Sequence, residues 1–234
     1  MITKLAQCSI IAVFALAGCQ NQPQSLSTPH LSDPQNPIIA DALVTFYMPN
    51  NYVYLSTQEH RLFPHENAIL ITAKEPQGDF KWHLTNNIYE SQIPPSAATT
   101  APATVLDHDV VQAIASSFKA SAGYYDLSKA RHLENVKIQG RWYQPFQLAS
   151  TGDKTPKITL FMLLDEQRID LVRVAGISGE RVVTAHSYNM HWFKEVQRFV
   201  PTKIDIFAGA PGAAEPARIL GITYKGFKLL GKDR

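Results

Sequence analysis

The first nineteen residues constrain this chain most, because they decide which part of it folds and with what help. Lys4 precedes an apolar run of 14 residues, from Leu5 to Gly18. As a helix this run reaches roughly 21 Å and falls short of a ~30 Å hydrocarbon core. A basic start, a short apolar middle and the small pair Ala17-Gly18 are the parts of an export signal, in order. Residues 1–18 are therefore expected to be removed. The chain holds two cysteines, Cys8 and Cys19, and Cys8 leaves with the signal. No disulfide can then form within the exported chain, so its stability must come from its core, and what remains of 234 residues is ample for one.

Leu16, Ala17, Gly18 and Cys19 together resemble the lipobox of bacterial lipoprotein precursors. The resemblance implies cleavage before Cys19, a diacylglycerol on its sulfur and a further acyl chain on the new amino group. Several acyl chains hold a protein on a bilayer where one gives only marginal binding. In such lipoproteins an Asp after the cysteine often signals retention at the inner membrane. Gln20 stands there in this chain, which implies a lipid anchor in the outer membrane, with the body expected to face the periplasm.

Residues 19–37, rich in Gln, Asn, Ser and Pro, carry no apolar period and read as a tether. Its coil dimensions are some 20–25 Å. The chain has the composition of a folded globule, with 45% hydrophobic residues, and its 22 basic against 20 acidic side chains, Lys4 among the basic ones, leave the body nearly neutral. Bulk charge would draw it to neither nucleic acid nor an anionic bilayer.

Strand patterns are read at 42–48, ended by the turn signal Pro49-Asn50-Asn51, then at 52–55, 68–73 and 80–90. Gln58 to His65 reads as a polar segment between strands, and the Pro, Ala and Thr run from Ile93 to Thr104 as an exposed loop. Asp107 or Asp109 is expected to cap a helix with Ile114 and Phe118 on one face, stopped by Gly123. Segments 135–149, 157–164 and 168–175 read as an antiparallel meander whose last turn is Asp165-Glu166-Gln167. Val182, Ala185, Asn189, Trp192, Val196 and Phe199 recur at spacings of three and four, which predicts an amphipathic helix over 180–200 lying on the sheet. Beyond it the chain is expected to end in a basic extension, 205–234.

Phe46-Tyr47-Met48-Pro49-Asn50-Asn51-Tyr52, the strand from Ile158 to Leu164 and the segment Trp192 to Phe199, taken in this order around a central helix, resemble the Mog1/PsbP/DcrB-like domain. That resemblance, over 38–204, implies an α+β fold: an antiparallel sheet flanked by helices, as an α/β/α sandwich. Members act mostly in binding or assembly, which implies a non-catalytic role here.

The residues supply no catalytic constellation of their own. No G-x-S-x-G occurs, Asp165 and Glu166 fall in a hairpin turn, and no phosphate-binding loop follows a strand. His60 and His65, with Glu59 and Glu66, are the nearest approach to a metal site, but their spacing matches none of the zinc patterns. No cofactor is expected. Trp142 and Tyr143 on one segment, and Trp192 and Phe193 on another, are the candidates for a partner-binding face, since Tyr and Trp are enriched in such patches. The expected protein is a non-enzymatic envelope lipoprotein that binds or scaffolds another envelope component. A small-ligand or metal-binding lipoprotein serving transport is the second reading.

Overall fold

The computed structural model describes residues 37–150, 152, 155–213 and 215–230. The signal, the lipobox from Leu16 to Cys19 and nearly all of the tether lie outside the described residues. The chain opens with five strands: β1 (Ile38–Tyr47), β2 (Val53–Phe63), β3 (Ala68–Glu75), β4 (Gly78–Thr85) and β5 (Ile88–Gln92). Two helices follow, α1 (Ala101–Val105) and α2 (His108–Ser121). Then come β6 (Arg131–His132), β7 (Val136–Ile138), β8 (Arg141–Gln147), β9 (Lys157–Leu163), β10 (Arg168–Ala175), β11 (Val182–Phe193), β12 (Arg198–Gly209) and β13 (Ala217–Leu229).

All of these strands join one sheet, in the order β5-β4-β3-β2-β1-β13-β12-β11-β10-β9-β8-β6, with β7 also on β8. The path explains the order. The chain starts in the middle, runs outward by hairpins to the β5 edge, crosses through the two helices to the far edge, and returns by hairpins until β13 pairs antiparallel with β1.

Helix α2 packs against β10, β11 and β12 and also against β2, β3 and β4. In a flat sheet, β4 and β10 would stand seven strand spacings apart, roughly 34 Å, far more than the ~10 Å width of a helix. The sheet must therefore curl around α2. The inner face supplies Phe46, Ile71, Trp82, Val174, Val183, Ile206 and Ile222, among others, and α2 supplies Val110, Val111, Ile114 and Phe118 to the same core. On the outer face a small separate cluster, Tyr143, Phe161, Leu163 and Leu171, covers β8 to β10.

The capped helix lies where the sequence put it. Asp107 accepts a hydrogen bond from the Val110 N–H at 3.0 Å, and Gly123 takes the left-handed conformation (φ 73°) just past its end.

The sandwich does not. Strands hold 56% of the described residues and helices 14%, so the fold is not the α/β/α sandwich that the Mog1/PsbP/DcrB-like resemblance implied. The decisive segment is 180–200, expected as a helix and found as β11, a four-residue turn and the start of β12. In β11 the alternation is that of a strand: Val183, Ala185 and Ser187 are buried on the core side, and Thr184, His186 and Tyr188 alternate with them. Residues 205–229, set apart above as an extension, instead form the last five residues of β12 and all of β13, strands that occupy the middle of the sheet. The polar segment from Gln58 lies within β2 as far as Phe63, with Pro64 and His65 in the following turn, and the run after Ile93 contains α1, with Ala97 and Ala101 buried where their small side chains allow close packing.

Candidate functional site

A cleft of about 300 Å³ opens at one end of the sheet and is lined by His191, Phe193, Thr202, Tyr224, Lys225 and Phe227, with Glu195 and Gly226 at its side. Its walls come from topology. β12 and β13 pair only as far as Lys203 opposite Thr223, so beyond that point the β11–β12 hairpin and the end of β13 part company. The rings of His191 and Phe227 stack across the gap at 6.4 Å, Phe193 and Phe227 stand 6.0 Å apart, and Phe118 of α2 packs edge-on to both Tyr224 and Phe227. The result is an aromatic floor with a lysine and a glutamate beside it.

Behind that floor runs a chain of buried polar groups along the inner face of β2. The Tyr224 hydroxyl lies 3.0 Å from His60 Nδ1, and His60 Nε2 lies 3.0 Å from Gln58 Oε1. The Gln58 amide donates toward Ser56 Oγ, whose hydroxyl donates to Glu75 at 2.6 Å. Tyr54 donates to the other oxygen of Glu75 at 2.7 Å. Because Gln58 uses its amide on Ser56, its carbonyl oxygen faces the imidazole; His60 therefore donates from Nε2 and accepts Tyr224's proton at Nδ1. The reach from β2 to β13 passes over β1, where Ala40 and Ala42 stand opposite His60 and Gln58 and leave the space free. Burial lowers the His60 pKa to about 3 and raises that of Tyr224 well above its usual value.

His60 is thus a core residue with both ring nitrogens bonded to protein, and it offers no ligand to a metal. His65 lies in the β2–β3 turn, its ring edge-on to Tyr124 at 5.5 Å, and its carbonyl accepts from Lys119 of α2. Among the described residues no group of three His, Cys, Asp or Glu is placed to hold a metal ion. The proposed aromatic face divides in two. Trp142 (53% exposed) and Trp192 (48%) reach solvent, whereas Tyr143 (1%) and Phe193 (4%) are core. Asp165 and Glu166 do form a turn, paired with Arg141 and Arg168.

The outer face carries its own ion pairs. Asp205 binds Arg218, which lies 4.5 Å over the Tyr47 ring. Asp170 is buried near Arg168, and burial raises its pKa. These carboxylates serve as counterions to guanidinium groups, and Asp170 also faces the Tyr143 hydroxyl.

Tyr224 and Phe227 were present in the sequence as aromatic residues of a supposed extension. The signal that would have placed them is the alternation Leu220, Ile222, Tyr224, which marks one face of a strand.

No protein-family model matches the sequence, and no curated protein sequence matches it. Solved structures do resemble the fold. One is a LolA-superfamily protein from Nitrosomonas europaea, with a TM-score of 0.56 at 15% identity over 84% of this chain and 87% of that one. A second is a Vibrio parahaemolyticus domain described as an outer-membrane lipoprotein-sorting protein, with a TM-score of 0.50 at 10% identity over 85% of this chain and 87% of that one. At such identities the likeness is one of fold: an open, LolA-like antiparallel sheet.

Proposed function

We propose that this chain is a non-catalytic binding protein of a bacterial envelope, fastened by lipid on Cys19 to the outer membrane, that takes the apolar part of an amphiphilic guest into its aromatic cleft. The observation that carries this reading is the cleft itself, a gap between β12 and β13 walled by His191, Phe193, Tyr224 and Phe227 and flanked by Lys225. The stacked rings of His191 and Phe227 give the apolar part of a guest one surface within a lining that also carries Glu195, Thr202 and Lys225, and the lysine suits an anionic or zwitterionic head. The sorting role attached to the Vibrio parahaemolyticus neighbour supports an acylated molecule as the guest. The partner is then another envelope component.

The test is titration of the purified chain with 11-(dansylamino)undecanoic acid, read by dansyl fluorescence. Saturable binding that weakens at least about tenfold (roughly 1.4 kcal/mol) in Phe227→Ser, with the far-ultraviolet circular dichroism unchanged, is the expected result. No binding, or equal binding by the variant, would sink the reading.

A further inference from the structure

The end of the sheet that receives the tether carries more than the cleft. The Leu230 N–H donates to the Pro37 carbonyl at 3.2 Å, so the described chain begins and ends side by side, at the start of β1. The tip of the β11–β12 hairpin lies across the cleft from that point. Trp192 and Phe199 face each other across this hairpin, with ring centroids 5.0 Å apart, and each is about half exposed (48% and 49%). Lys194 at the tip and Lys225 and Lys228 on β13 are also exposed, three lysines against two exposed carboxylates, Glu195 at the tip and Asp41 on β1 opposite Gly226.

An exposed Trp–Phe pair beside lysines is the composition that settles at a membrane interface, where the rings sit at the headgroup level and the ammonium groups meet anionic lipid. Its place argues for the same occupant. The described residues begin at this end with Pro37, eighteen positions after Cys19, so a chain held by lipid at Cys19 has this end of the sheet tied to the bilayer by at most roughly 65 Å of chain. We infer that the Trp192/Phe199 hairpin tip, with Lys194, Lys225 and Lys228, is a second contact with an anionic lipid surface, which turns the mouth of the cleft toward the membrane. This inference rests on the anchored reading of Cys19.

Every described strand and helix lies within residues 37–230, so a chain that starts at Cys19 keeps all of these elements. Made without lipid, that chain has one thiol, which can be coupled to maleimide-bearing vesicles of phosphatidylethanolamine and phosphatidylglycerol with brominated acyl chains. In Trp142→Phe only Trp192 and the fully buried Trp82 remain to report. Trp192 emission is expected to shift to the blue and to fall at least twofold relative to unbrominated vesicles. The charge-reversed variant Lys194→Glu, Lys225→Glu, Lys228→Glu is expected to lose most of that quenching. Equal emission on brominated and plain vesicles would overturn the inference. So would a dimer in sedimentation velocity that Trp192→Ser dissolves, because the aromatic pair would then serve self-association. A free thiol at Cys19 in cells would refute the anchor instead and leave the vesicle result standing.

Discussion

Replacing His60 with Gln isolates the pH dependence that one buried imidazole imposes on the whole fold. In the folded chain burial holds the His60 pKa at about 3, against about 6.5 in the unfolded chain. The unfolded state therefore takes up a proton first as pH falls. Stability is complete above pH 6.5, drains away as pH drops from there toward 3, and stops changing once both states are protonated. The full span is worth roughly 5 kcal/mol, and at about pH 5 roughly 2 kcal/mol is already gone. Gln at position 60 can hydrogen bond but cannot titrate. Burial also lowers the His186 pKa, and hydrogen bonding to Asp109 raises that of His108, but both residues are present in both proteins and cancel in the comparison. Urea unfolding at about pH 7.5 and about pH 5, followed by circular dichroism, should show the parent losing about 2 kcal/mol more than His60→Gln. At roughly 2 kcal/mol per molar urea this is a midpoint shift larger by about 1 M. Equal losses in the two proteins would mean that His60 is hydrated or already charged, and the buried chain from Tyr54 to Tyr224 would have to be redrawn.

Tyr224→Phe keeps the ring but leaves His60 Nδ1 without its donor, so it should cost about 1–3 kcal/mol; a double-mutant cycle with His60→Gln should return a coupling of about 0.5–3 kcal/mol. Gly78→Ala should cost about 2 kcal/mol in urea unfolding, because φ there is +126° and the added Cβ would stand 2.9 Å from the Pro94 ring. Asp107→Ala removes the α2 cap and its pairing with Arg181 and should lower stability by about 1–2 kcal/mol, a fall of roughly 2–8 °C in a thermal melt. An unchanged melt would show that α2 does not depend on its cap.

How much of this was legible in the sequence depended on whether each signal was local. The α2 cap at Asp107 and the stop at Gly123 are chemistry within one turn, and both were readable. The meander from β8 to β10 was readable because Asp165-Glu166-Gln167 announces its last turn. The same turn geometry recurs at Lys194 to Gln197, where Gln197 adopts φ 50° as Gln167 adopts φ 49°. There the turn holds no Gly, Pro, Asn or Asp, so nothing in the sequence broke the run. Apolar residues at spacings of three and four then imitated a helix, although Val182, Val183, Thr184, Tyr188 and Trp192 favour a strand.

The candidate site was hidden for a different reason. Gln58 and His60 read as loop because their polarity is paid for by Ser56, Glu75 and Tyr224, the last of them 164 positions away. The aromatic cleft likewise joins β11 to β13, and no spacing within either segment encodes that junction. Trp142 and Trp192 were identifiable as aromatics; only the pleat decides that they face out while their neighbours Tyr143 and Phe193 face in.

The account of place and role converges on Cys19, and intact-mass spectrometry of the protein extracted from the envelope with detergent tests it most directly. A chain beginning at residue 19 and heavier by a diacylglycerol and an acyl group is the predicted result. A mass equal to the bare polypeptide, with a free thiol at residue 19 or Met1 still in place, would contradict it.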